Sequence, residues 1–215
     1  MFVMKFRWFL LLIVILIAIP HLSAVDMDDW DEVTVNKVTF EIPEKFSNGE
    51  MNKDNTSYKH GDPFDFLIFS LIKYDNLKRM YGSSVTGNSL IDMEETEIDG
   101  HHAVVLYQYN NFYNHDYLEV FFATGKKIFR IHYNSDNITD ELKEIIKSTP
   151  KSNMSKETFL NKLDNAQRDY IQENNDKNLE LDLEEYYRIY NDKHNRESFY
   201  FWGSNGFGVG GSTRL

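Results

Sequence analysis

The 215-residue chain predicts an α+β fold: an antiparallel sheet of hairpins packed with helices, followed by a helical hairpin extension. Three observations carry that expectation. Asp99-Gly100 joins "SLIDMEETEI" to "HHAVVLYQY", two runs of strand character, and a two-residue type I′ turn needs positive φ at both central positions, as Asp-Gly allows. "YLEVFFA" and "KIFRIHY" flank Thr124-Gly125-Lys126 in the same manner. "NITDELKEIIKSTP" then reads as a helix, with Thr139 as N-cap, Leu142, Ile145 and Ile146 on one face, and Pro150 as its stop.

The remaining elements follow in chain order. Residues 33–46 alternate like a strand stopping at Pro43. Residues 47–63 are polar, contain Gly49, Gly61 and Pro63, and read as a loop. "FDFLIFSLIKY", residues 64–74, is apolar on both alternating faces, as in a strand covered on both sides. "DNLKRMYGSS" suits a short helix ending at Gly82, and "GSSVTG", residues 82–87, reads as a loop. "NNFYNHD" connects the two hairpins. "STPKSN", residues 148–153, marks a boundary. Beyond it Phe159, Leu163, Ala166 and Tyr170 form the stripe of an amphipathic helix, and "LEEYYRIYNDKHN" suits a second one. The expected organisation is a sandwich domain over 30–150, a helical hairpin over 154–198, and an apolar segment with a glycine-rich tail over 199–215.

Residues 1–24 read as a signal peptide or an N-terminal membrane anchor. "MFVMKFR" is basic, "WFLLLIVILIAIP" is apolar, and "HLSA" ends in small residues, which is the order of an export leader. Cleavage after Ala24 gives a secreted protein and takes the net charge from −11 to −13 by removing Lys5 and Arg7. Retention leaves an uncharged stretch over residues 8–25, just long enough to span a bilayer. Lys5 and Arg7 then hold the N-terminus in the cytoplasm. Either way residues 26–215 are expected to be extracytoplasmic.

Composition excludes several classes. A net charge of −11 and a pI near 5.1 argue against a general nucleic-acid binder, which needs basic surface to displace counterions. The absence of cysteine removes disulfides, thiol catalysis and a cysteine-lipid anchor. Asn55, Asn137 and Asn153 head formal glycosylation triplets.

Phe40, Ile42, Pro43, Glu44 and Phe46 (F-x-I-P-E-x-F), Glu97 to Gly100 (E-I-D-G), the K-I-F-R-I-H-Y strand and the E-I-I-K-S helix end together resemble the PsbP/Mog1-like α/β/α sandwich proteins. The resemblance covers about half of the chain, residues 30–150. It implies a sandwich domain and an accessory or binding role, and it brings no catalytic motif.

Five patterns invite chemistry. "GFGVGG", residues 206–211, spells a dinucleotide fingerprint, but only "STRL" follows. Neither the phosphate-facing helix nor the ribose-binding acid can form there. Residues 174–185 resemble an EF-hand loop: Asn174, Asp176, Asn178, the Glu180 carbonyl, Asp182 and Glu185 take ligand positions for a weak calcium site. Leu179 stands where the sharp turn wants glycine. His101-His102, with His115, Asp116 and His132, raises a transition-metal reading, yet strand neighbours point to opposite faces. Glu94 and Glu95 offer a carboxylate pair of the kind any acidic chain supplies. Phe112 and Tyr113 sit in an Asn-rich loop and suit recognition of a protein or sugar face. The function these features favour is an exported or membrane-tethered, non-catalytic domain that binds a protein or cell-envelope component without a cofactor. A calcium-dependent binding module and a hydrolase with scattered residues are the alternatives.

Overall fold

The structure, a computed structural model, describes residues 25–61 and 65–204. The leader and the glycine-rich tail lie outside the described residues. Strands are β1 (Trp30–Val35), β2 (Val38–Pro43), β3 (Glu50–Met51), β4 (Ser57–His60), β5 (Phe66–Ser70), β6 (Leu90–Ile98), β7 (His101–Asn110), β8 (His115–Thr124) and β9 (Lys127–Tyr133). Helices are α1 (Tyr74–Thr86), α2 (Asp140–Lys147) and α3 (Lys156–Ser204). β1 and β2 form a separate hairpin, and the rest make a seven-stranded sheet in the order β3-β4-β5-β9-β8-β7-β6. Every pairing between these strands is antiparallel. After β5 the chain crosses through α1 to the far edge, and the β6–β9 meander walks back until β9 pairs with β5.

The predicted α+β class is therefore the observed one. Asp99 and Gly100 have φ of 45° and 83°, and Ile98 pairs with His101 across them. Thr139 caps α2, accepting a hydrogen bond from the Leu142 amide at 3.1 Å.

The sheet is covered on both faces. On one, the β1–β2 hairpin and α2 enclose Phe40, Ile42, Phe66, Val120, Phe122, Phe129 and Leu142. On the other, α1 and the first turns of α3 enclose Leu77, Tyr81, Val104, Leu106, Phe121, Phe159 and Leu163. Alternation along β8 divides its residues between the faces: Leu118, Val120 and Phe122 join the first core, Phe121 and Ala123 the second. The edge strand β6 carries Asp92, Glu94, Glu95 and Glu97, charges that discourage edge-to-edge association.

Four expectations are corrected. The stretch over residues 47–63, read as a loop, carries the short strands β3 and β4. Residues 33–46 do not form one strand; Asn36 and Lys37, at φ 48° and 62°, turn the chain between β1 and β2. Asn-Lys lacks the glycine that usually marks such a turn, and the alternation hid it. Helix α1 does not stop at Gly82 but runs to Thr86, so "GSSV" is helical rather than loop. Gly82 is there because a Cβ would lie 2.4 Å from Cβ of Tyr170 on α3. The expected helical hairpin is one continuous helix of 49 residues. Neither Gly nor Pro interrupts residues 156–202, and Glu173 bonds Lys177 at 2.6 Å across one helical turn, the favourable i,i+4 orientation.

Gly82→Val is expected to lower unfolding free energy by about 1–3 kcal/mol through overpacking against Tyr170, read by urea denaturation. An unchanged midpoint would show that the two helices do not rely on this close approach.

Candidate binding site at the end of the helical layer

Helical cover of the second face ends with α1. Past that point the sheet positions facing α1 and α3 turn polar: Gln108 on β7, Tyr117 and Glu119 on β8, and Arg130 on β9. With Arg79, Met80, Ser83, Ser84, Gly87 and Ser89 from α1 and the loop after it, they line a pocket of about 400 Å³. Register brings the strand residues together: Tyr117 lies opposite Gln108, Glu119 opposite His132, and Phe121 opposite Arg130.

Glu119 is only 4% exposed. A buried carboxylate must be paired and hydrogen-bonded to stay charged, and this one is. Arg130 Nη2 donates to Oε1 and the Ser84 hydroxyl to Oε2. Gln108 Nε2 donates to Oε2 at 3.2 Å, and His132 Nδ1 faces Oε1 at 4.0 Å. Tyr117 in turn donates its hydroxyl to Gln108 Oε1 at 2.7 Å. Burial alone would raise the Glu119 pKa; the His132 ring, the Arg130 charge and the Ser84 hydroxyl outweigh it and hold the carboxyl below its ordinary value of 4.5. Burial, with the Glu119 charge beside it, pushes the Tyr117 hydroxyl up. At neutral pH the site therefore holds a carboxylate, a guanidinium and a protonated phenol. Arg130 Nε is buried without a hydrogen-bond partner.

A row of rings leads out from this pocket. Tyr117 stacks on His132 with centroids 4.7 Å apart. His115 lies 6.5 Å from Tyr117, Tyr113 lies 6.2 Å from His115, and Phe112 lies 4.8 Å from Tyr113. Phe112 is 85% exposed and Tyr113 48%. Their loop is held by asparagines. Asn110 Oδ1 accepts from the Phe112 and Tyr113 amides at 3.0 and 3.1 Å, and Asn114 adopts φ 57°, a conformation asparagine tolerates better than most residues. The Asn-rich composition thus fixes the turn, and the turn presents the rings.

The other candidates come out differently. Asn174, Asp176, Asn178, Glu180, Asp182 and Glu185 lie within α3, not in a loop. Helical geometry turns successive residues by about 100°, so these positions spread around the axis. The Glu180 carbonyl also lies in the interior of the helical hydrogen-bond ladder. The EF-hand-like arrangement is not formed, because Leu179 supplies no turn where the motif needs one. His101 is buried with Nδ1 2.9 Å from the Ala123 carbonyl, while His102, one residue on, has Nδ1 3.5 Å from Glu97. His115 and His132 share a face but meet Tyr117 between them. Among the described residues no group of three or more His, Asp or Glu side chains is placed to hold a metal. Glu94 accepts from Tyr107 at 3.1 Å and Glu95 pairs with Lys156 at 3.4 Å, so they serve separate contacts.

The sequence reading missed Gln108, Tyr117, Glu119 and Arg130 as a unit. One signal was available: Glu119 sits inside "YLEVFFA", where a charge interrupts a run that must be buried. Its partners come from three other elements and had no signal of their own.

No family model matches the chain, and no curated protein matches its sequence.

Glu119→Gln is expected to cost about 3 kcal/mol at pH 7, the low end for breaking a buried pair, because Arg130 borders the pocket. The wild-type contribution of a lowered pKa is complete above 4.5 and is lost as pH falls through the folded-state value. Urea midpoints measured from pH 7 to pH 3 should therefore fall less steeply for the variant than for wild type.

Proposed function

We propose that this chain is a non-catalytic binding domain that acts outside the cytoplasm, secreted or tethered by its N-terminal leader, and recognises a cell-envelope component. The observation that carries this reading is the joining of a preorganised polar pocket to a row of rings ending at the exposed pair Phe112 and Tyr113. Binding sites are concave, largely preformed, and use a few placed polar groups for orientation. Exposed rigid rings supply contact area at low entropy cost. The PsbP/Mog1-like resemblance points to the same accessory role.

The hydrolase alternative has one feature in its favour, the cluster of Ser84, Glu119 and His132. Its geometry suits binding better. Ser84 donates to the Glu119 carboxylate rather than to His132, so the imidazole is not placed to activate it as a nucleophile. Glu119 has a lowered pKa and is occupied by Arg130, which makes it a poor general acid or base at neutral pH. Glu119 also contributes the pocket's one carboxylate among the described residues, whereas glycoside hydrolysis commonly uses two.

No helix among the described residues is long and apolar enough to cross a membrane, so tethering rests on the leader. Intact-mass analysis of the chain recovered from cells decides between the two exported forms. A chain beginning at Val25 is the secreted form, and a full-length chain that stays with membranes through alkaline extraction is the tethered one. A full-length chain dissolved in cytosol would overturn export.

Recognition is tested by co-sedimentation with cell envelopes prepared from the producing organism. Wild type is expected in the pellet. The Phe112→Ser, Tyr113→Ser double variant should remain in the supernatant with an unchanged circular dichroism spectrum. Equal pelleting of both proteins would remove the ring row from the binding surface.

A further inference from the structure

Resting on that reading of the site, we propose that the pocket takes a neutral, polyhydroxylated ligand, one saccharide unit of an envelope glycan, with further units lying along the ring row. The charges around the pocket favour a neutral ligand. Glu119 and Arg130 neutralise each other inside the wall. Arg79 stands at the exposed rim, and the C-terminal end of α1, which has no basic residue in its last turn, brings a partial negative charge to the same place. An ion of either sign meets opposing charges here. A neutral ligand meets none that it must overcome.

The hydrogen-bonding groups favour hydroxyls. The Arg79 guanidinium and the Ser83 and Ser89 hydroxyls face the open side of the pocket, while Gln108 and Arg130 are engaged with Glu119 in the wall behind them. Vicinal hydroxyls of a sugar each donate and accept, and planar amide and guanidinium groups meet them in pairs. An apolar ligand would leave these groups desolvated and unpaired, at a cost for each.

The shape of the pocket favours a small ring unit. A pocket of about 400 Å³ is at the small end of ligand sites, room for one ring unit with its water. From Tyr117 in its wall, His115, Tyr113 and Phe112 carry the row of rings outwards. Sugar rings carry an apolar C–H face, which stacks on such surfaces while their hydroxyls stay in water.

The test uses the full chain in mild detergent, with isothermal titration against neutral glucan and N-acetylglucosamine tetramers, an acidic galacturonan tetramer and a mixed peptide library. Saturable binding of a neutral tetramer is expected. Ser89→Ala and Tyr113→Ser, both outside the buried cores, should each weaken it about tenfold, the size of one lost stacking or hydrogen-bonding contact. Tighter binding of the acidic tetramer or of peptides overturns the proposal. So does failure of every saccharide to bind while envelope co-sedimentation persists and still depends on Phe112 and Tyr113, an outcome that leaves the binding-domain reading intact. Loss of both signals overturns both.

Discussion

Strands β7 and β8 carry apolar residues on both faces over part of their length, Ala103, Val105, Leu118, Val120 and Phe122 on one and Val104, Leu106, Phe121 and Ala123 on the other, and water has to be kept from both. That constraint organises the molecule. It requires the β1–β2 hairpin and α2 on one side and α1 with α3 on the other. The two covers are unequal. The helical one ends near Ser84, and the sheet beyond it must present polar groups or expose a large apolar patch. The pocket lies at that boundary, where a covered sheet becomes an open one.

Placing a carboxylate at the boundary is costly. A buried ion pair seldom repays its desolvation, and an apolar pair of similar volume is often at least as stable. The Glu119 cluster answers that cost with donors from Arg130, Ser84 and Gln108, which draws on both neighbouring strands and on α1. Such a network specifies geometry more than it adds stability. Its rigidity suits recognition, because polar groups already held in place lose little entropy when a ligand arrives.

Helix α3 joins the body through a short set of contacts. Phe159, Leu163 and Ala166 are buried against α1 and the sheet, Asp169 accepts from the Tyr74 hydroxyl at 2.6 Å, and Glu173 pairs with Lys78 at 2.8 Å. The close approach at Gly82 lets the helices meet along this line. Glu173, between Lys78 and Lys177, has its carboxyl pulled down to about 2, but it is solvent-exposed and screened, so the pair orients α3 more than it stabilises the fold.

Local chemistry was legible in the sequence wherever one residue decides the backbone. Asp99-Gly100 set a turn, Thr139 set a helix start, and the strand-like runs on either side of Asp99-Gly100 and Gly125 set the meander and hence the α+β class. Asn36-Lys37 escaped because its left-handed turn carries no glycine. The long α3 escaped because acidic and amide residues suit a loop and an exposed helix almost equally, and only the absence of a breaker separates them. The site was least legible. Phe112 and Tyr113 could be picked out from their loop, but Glu119 becomes meaningful only when register sets Gln108, Arg130 and His132 around it and α1 extends far enough to deliver Ser84. Sequence acts through neighbours in the chain and determines turns, caps and faces. The meeting of side chains tens of residues apart is decided by strand order and by where a covering helix ends, and these belong to tertiary structure alone.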